Sequence, residues 1–436
     1  MSHRLPHPVR RVAVAATASA LAVAAVAVPA RAESVSLVSG VPTFTTVDLG
    51  PAGATLGDLN VFEAPMVGGG HLLGIQTTMG AGRSAVTVQG QLAFDLPSGQ
   101  IAVAGLSRID RGPTGLVAGR PYERAVVGGT GAHAGRRGTV TSTRRPDGTY
   151  SQDFALTPPS GATRTIDVVS TSVPGRVVDV GDGGSSPGDQ TIVDTSQLLD
   201  PATGAPVGTL RGLMQVVSTT GGRVAQAQLT FTLPGGELLV GGVSHQAPDG
   251  AGLVAGTPFV RPVIGGTGDY AGATGTLTST LGADGRYHQH FELAGLDAPV
   301  VRRVRLFGPN TGRDERIDVP PAGPSAGDQT AFVGPVADPR RKRRVGTVRG
   351  VHTTIGIEDG IQLVASQLTF AVRGRGAFVV GGMSHYPVAG TNGTVRGRLA
   401  ERPIVGGTGE FAGAHGVLRA VRTRDGSYRL TFVLRG

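Results

Sequence analysis

The chain has 436 residues, a formal charge of +9, no cysteine and no tryptophan. Without cysteine, thiol redox chemistry and disulfides are excluded, so stability must come from packing and backbone pairing. With so few aromatic rings to stack bases, nucleic acid is a poor partner for the modest positive charge.

The chain opens on a basic stretch, "MSHRLPHPVRR", followed by the small apolar run "VAVAATASALAVAAVAV" and the small-x-small triplet Ala30-Arg31-Ala32. This three-part layout predicts a secretory signal, residues 1–32, cut after Ala32. Arg10-Arg11 fits either a twin-arginine signal or an ordinary basic leader. The apolar run is short for a membrane span and no later segment approaches one, so no membrane span is expected. Loss of Arg4, Arg10, Arg11 and Arg31 would leave the mature chain at +5. The one dense basic run, Arg340 to Arg344, reads as a solvated loop or as an anion-binding patch.

The remainder is one unit written three times. Copies of "VVGGTG…", "VIGGTG…" and "IVGGTG…" begin at Val126, Val263 and Ile404, 137 and 141 residues apart. Upstream of each come Gln-Leu-x-Phe, at Gln91, Gln228 and Gln367, and then Gly-x-Ser, at Gly105, Gly242 and Gly382. Further upstream stand Gly57-Asp58, Gly188-Asp189 and Gly327-Asp328, each preceded nine residues earlier by Asp48, Asp179 or Asp318. Ordered landmarks at such a period predict tandem domains that each own a core, not a solenoid.

Within a copy the texture is β. Short runs rich in β-branched residues are bounded by glycine, proline and the turn-forming pairs Asp147-Gly148, Asp284-Gly285 and Asp425-Gly426. After each pair, Tyr150/Phe154/Leu156, Tyr287/Phe291/Leu293 and Tyr428/Phe432/Leu434 fall at even offsets, hence on one strand face. Gly266-Thr-Gly268-Asp-Tyr-Ala271 spells the dinucleotide fingerprint, but a strand and a hairpin follow it where a helix is required. The same spelling recurs in every copy, so no nucleotide cofactor is expected and the glycines are read as scaffold.

With GGTG set between strands, and with the Gly-Asp and Asp-Gly-x-Tyr landmarks around it, the chain resembles the dirigent and allene oxide cyclase barrel superfamily. The family run G-G-[STA]-G-x-[FY]-x-x-A-x-G is matched at 128–138, 265–275 and 406–416, except that the first copy has His133 at the aromatic position and Arg136 at the alanine position. The resemblance implies three tandem antiparallel eight-stranded β-barrels with apolar lumens, at 41–170, 176–306 and 315–436. It also suggests that the three pack on each other as an intramolecular pseudo-trimer.

What the resemblance implies for function is a secreted protein whose lumens bind small apolar or phenolic molecules and steer a stereoselective cyclisation or radical coupling, an isomerase or cyclase activity. A non-catalytic extracellular ligand carrier or structural protein is the alternative. The family's lumen aspartate maps to Asp48, Asp179 and Asp318, which otherwise read as solvent-facing turn caps. Arg137 matches the arginine of the family's Ala-Arg-Gly run, a donor to an oxyanion, where the other copies have Thr274 and His415. Ser244-His245 and Ser384-His385 resemble a nucleophile and base, but neighbours on a strand face opposite ways. His288 and His290 share a face without a third ligand, so no metal is expected.

Overall fold

The computed structural model describes residues 32–49, 52–111, 115–180, 183–247, 252–340, 342–388 and 393–436, so the predicted leader up to Arg31 lies outside the described residues. Among them there is no α-helix. Apart from the short 3-10 turns Gly131–His133 and Gly268–Tyr270, all regular structure is β. Each repeat forms its own antiparallel sheet.

The second and third sheets close into barrels. Arg164–Ser170 pairs with Tyr287–Ala294 on one side and with Gln190–Leu199 on the other. Val300–Gly308 likewise pairs with Tyr428–Arg435 and meets Gln329–Ala337 at Phe307 and Ala337. Each of these barrels counts eight strands once its fifth is taken as one strand interrupted at a glycine pair, Gly241-Gly242 or Gly381-Gly382. The first sheet curls the same way, but its ends join through a single bridge, Ser39 to Met66, instead of a ladder. A short extra strand flanks each sheet: Thr43–Val47, Arg176–Val178 and Arg313–Ile317.

Strand pairing draws the domain limits earlier than the landmarks do. Arg164–Ser170 falls inside the predicted 41–170 domain yet completes the second barrel, and Val300–Gly308 completes the third. Glu33–Ser39, outside that predicted domain, completes the first. These opening strands carry no repeated motif, and four of the seven residues of the first are serine or acid, so nothing in their composition flags them as walls.

Alternation sorts the side chains. In Ile361–Val372, Leu368, Phe370 and Val372 join the third lumen's core, whereas Leu363 and Ala365 pack outward against Val178, Ile192 and Leu213 of the second barrel. The predicted aromatic faces hold: Phe154, Phe291 and Phe432 each meet an edge-to-face partner, Phe94, Phe231 and Phe370, at 5.0, 5.0 and 5.1 Å. Such pairs add about 1 kcal/mol beyond area burial.

Contacts between barrels repeat in cyclic order. Gly188 of the second barrel lies against Val47 of the first, Gly327 of the third against Val178 of the second, and Gly57 of the first against Ile317 of the third. The backbone at Gly128, Gly265 and Gly406 approaches Pro262, Pro403 and Ala125, each glycine now facing the following barrel in the cycle. Ala104, Val127, Leu239, Val379 and Val405 from all three barrels form one buried cluster.

Candidate ligand-binding site

The third barrel contains a cavity of about 520 Å³. Its wall is apolar deep inside, with Phe332, Leu368, Phe370, Leu418 and Leu430; charged side chains such as Asp314, Arg316 and Asp318 also line it, and His352, Tyr386 and Arg402 form a linked polar cluster. Arg402 is only 4% exposed, and its Nη2 donates to Tyr386 Oη at 3.0 Å. Tyr386 Oη lies 3.0 Å from His352 Nε2, and His352 Nδ1 lies 2.9 Å from Ser366 Oγ. The tyrosine and histidine are mutually satisfied if the tyrosine gives its proton to Nε2 and Nδ1–H donates to the serine.

Burial, with the Arg402 charge added, holds the His352 imidazole well below its ordinary value, so it stays neutral. Burial also pushes the Tyr386 hydroxyl up to about 12, against the opposing pull of Arg402, so it remains a phenol donor at neutral pH. Phe332 stacks on the His352 ring at 4.7 Å and Tyr386 meets it edge-on at 4.9 Å, which fixes both polar rings. The chemistry on offer is recognition by neutral and cationic donors beside an apolar mould.

The first barrel is filled at the same place, where only about 30 Å³ remains. Register explains the difference. Phe44 faces Phe62 on the strand pair where the third barrel has Asp314 facing Phe332. Phe44 and Phe62 lie 5.5 Å apart and occupy the mouth. Tyr122, two residues before Arg124, packs with Leu116 and Tyr150, whereas Ala400 stands two residues before Arg402. Two aromatic side chains are thus exchanged for a carboxylate and a methyl.

The residues singled out from sequence are not assembled into a lumen site. Asp48, Asp179 and Asp318 are exposed, each one position past a buried strand residue, Val47, Val178 or Ile317, that packs toward another barrel. All three lie in the loop just past the end of a short flanking strand, where alternation no longer sets their direction. Asp48 and Asp318 accept the N–H of Gly53 and Gly323 at 3.2 and 3.0 Å as loop caps. Asp318 does stand at the rim of the third barrel's cavity. The neighbouring Asp58, Asp189 and Asp328 pin the same loops, accepting from Leu49, Val180 and Val319 at 3.2, 3.1 and 3.1 Å.

Arg137 is corrected outright. Its guanidinium, 5% exposed, donates to Val405 O at 2.8 Å in the third barrel and to Ala273 O and Ile264 O at 2.7 and 3.3 Å in the second. It is a staple between barrels and faces no lumen. Thr274 at the matching position donates to Gly135 O at 2.8 Å, again across a barrel boundary. His415, the third member, is pushed down to about 4 by burial and by the Arg137 charge.

The serine–histidine pairs separate as alternation requires: Ser244 is buried, while His245 is exposed and pairs with Asp95 of the first barrel at 2.8 Å. What sequence reading missed is the arginine two residues before each GGTG copy, Arg124, Arg261 and Arg402, all buried. A cation repeated amid apolar strand residues was the available signal. Arg124 donates to Ser107 and Ser142, at 2.6 and 3.0 Å, and Arg261 to Ser279 at 3.4 Å.

No family model matches the chain, and no curated protein matches it. Among solved structures, a pyocyanin demethylase is a weak neighbour, with 21% identity and a TM-score of 0.24 over 30% of this chain and 98% of that one.

Proposed function

We propose that the chain is a small-molecule-binding protein of tandem barrels in which the third barrel holds the ligand and the first is filled scaffold. The observation that carries this reading is the contrast between about 520 Å³ of cavity in one barrel and about 30 Å³ in its repeat. A cavity of the larger size suits one drug-sized apolar molecule. Titration with naphthol, followed by its fluorescence, tests it: saturable binding at one equivalent per chain is expected, and the absence of saturable binding overturns the reading.

A second reading, steering of a cyclisation or phenoxy-radical coupling in the manner of dirigent proteins, is favoured by the donor cluster set into an apolar wall. Such a mould acts by holding a reactive molecule near its attack geometry and excluding water. Supplying oxidant-generated phenoxy radicals and measuring product chirality decides it; a racemic product unchanged by the protein rejects it for that substrate.

We also propose that the three barrels pack about a pseudo-threefold axis within one chain. The cyclic order of their contacts supports this. Joining the barrels covalently removes the association entropy that separate subunits would lose. Secretion, proposed from the leader's composition, is tested by sequencing the protein's first residue in the culture medium, expected to be Glu33.

A further inference from the structure

Arg402 is a buried cation with too few partners. Among the described residues its one hydrogen bond goes to a neutral phenol, Tyr386, and its Nε has no acceptor. No carboxylate among the described residues forms an ion pair with it. Glu237 of the second barrel acts on it electrostatically without a hydrogen bond, and burial pushes that carboxyl up to about 7. At the cavity's rim, Asp318 and Asp328 are engaged by backbone N–H groups of Gly323, Ser325 and Val319. Burying a charge without a counter-charge is costly, and a guanidinium presents planar donors suited to a carboxylate.

We propose that the third barrel's ligand carries one anionic oxygen group, a carboxylate, seated on Arg402 beside Tyr386, with its apolar body against Phe332, Leu368 and Leu418. The inference rests on the reading of this barrel as the binding site and names the class of ligand it takes. The first barrel provides the contrast: its Arg124 is bonded by two serine hydroxyls and faces a filled interior. Tyr386 and the neutral His352, whose protons are held within the cluster, bring ring surface without adding a second charge.

The test is a matched pair of probes, naphthoate and naphthamide, which share a shape and differ in charge, with naphthalene as the apolar control. Isothermal titration of the full chain should show naphthoate binding at least about tenfold more tightly than naphthamide, and Arg402→Gln should abolish that preference, bringing naphthoate to within about twofold of naphthamide. Equal binding of the two to the unmodified protein overturns the anion proposal and leaves the cavity reading standing. Failure of all three probes to bind overturns both. Should Arg402→Gln not fold, the unmodified protein's preference for one probe decides alone, and Tyr386→Phe, which leaves the guanidinium in place, is expected to retain it.

Discussion

Arg137 and Arg402 show how one residue type acquires opposite duties from its surroundings. Arg137 donates from both Nη atoms to backbone carbonyls of two other barrels, so it acts as a structural link. Arg137→Gln would strand those carbonyls, and a loss of about 3–5 kcal/mol in unfolding free energy is expected, read by denaturant titration. Glu237 supplies a second residue-scale prediction. Its carboxyl is raised from 4.5 to about 7, chiefly by burial, with Arg402 opposing and Glu401 adding to the rise. A raised acid favours the folded state when protonated, so its contribution is complete below about pH 4.5 and is lost as pH rises through about 7. Glu237→Gln should therefore leave stability unchanged near pH 4 and raise it by about 1–3 kcal/mol near pH 8, measured by unfolding at both values. Equal effects at the two pH values would contradict this. The sequence could name Arg137 from a motif, but which face of a barrel wall it leaves by depends on register across strands, and that is a tertiary property.

At the scale of elements, the GGTG runs are corners. Gly131, Gly268 and Gly409 take φ of +56°, +57° and +59°, and a Cβ on Gly268 would meet Gly235 O at 2.0 Å. The threonine before each turn accepts a backbone N–H from the adjoining strand, Gln100, Glu237 or Ala377, at 2.9, 3.2 and 3.2 Å. Gly268→Ala should destabilise by about 2 kcal/mol or more, seen as a lowered denaturation midpoint; an unchanged midpoint would show that the corner yields. This part of the fold was legible because turn chemistry is local: Asp-Gly hairpins, even-spaced aromatics and the rejection of a nucleotide loop all follow from neighbours in sequence. The opening strands of the barrels were not legible, since Glu33–Ser39 and Arg164–Ser170 are defined by distant partners at Leu156 and Leu293. The direction of the aspartates was not legible either, since they stand just past strand ends, where the loop and not alternation aims them.

In the whole molecule the first and third copies have parted in interior volume while all three keep their contacts with one another. The cyclic contacts predict a self-contained particle, so light scattering should return the mass of one chain, and a stable trimer of chains would contradict that packing. The central claim is that the third barrel is open because Asp314 and Ala400 stand where the first barrel has Phe44 and Tyr122. The most direct test is naphthol titration of the unmodified chain beside an Asp314→Phe, Ala400→Tyr double variant, with circular dichroism to confirm that both are folded. The account predicts saturable binding to the former and at least about a hundredfold weaker binding to the latter, since the added rings would fill the cavity. Undiminished binding to the folded double variant would contradict it.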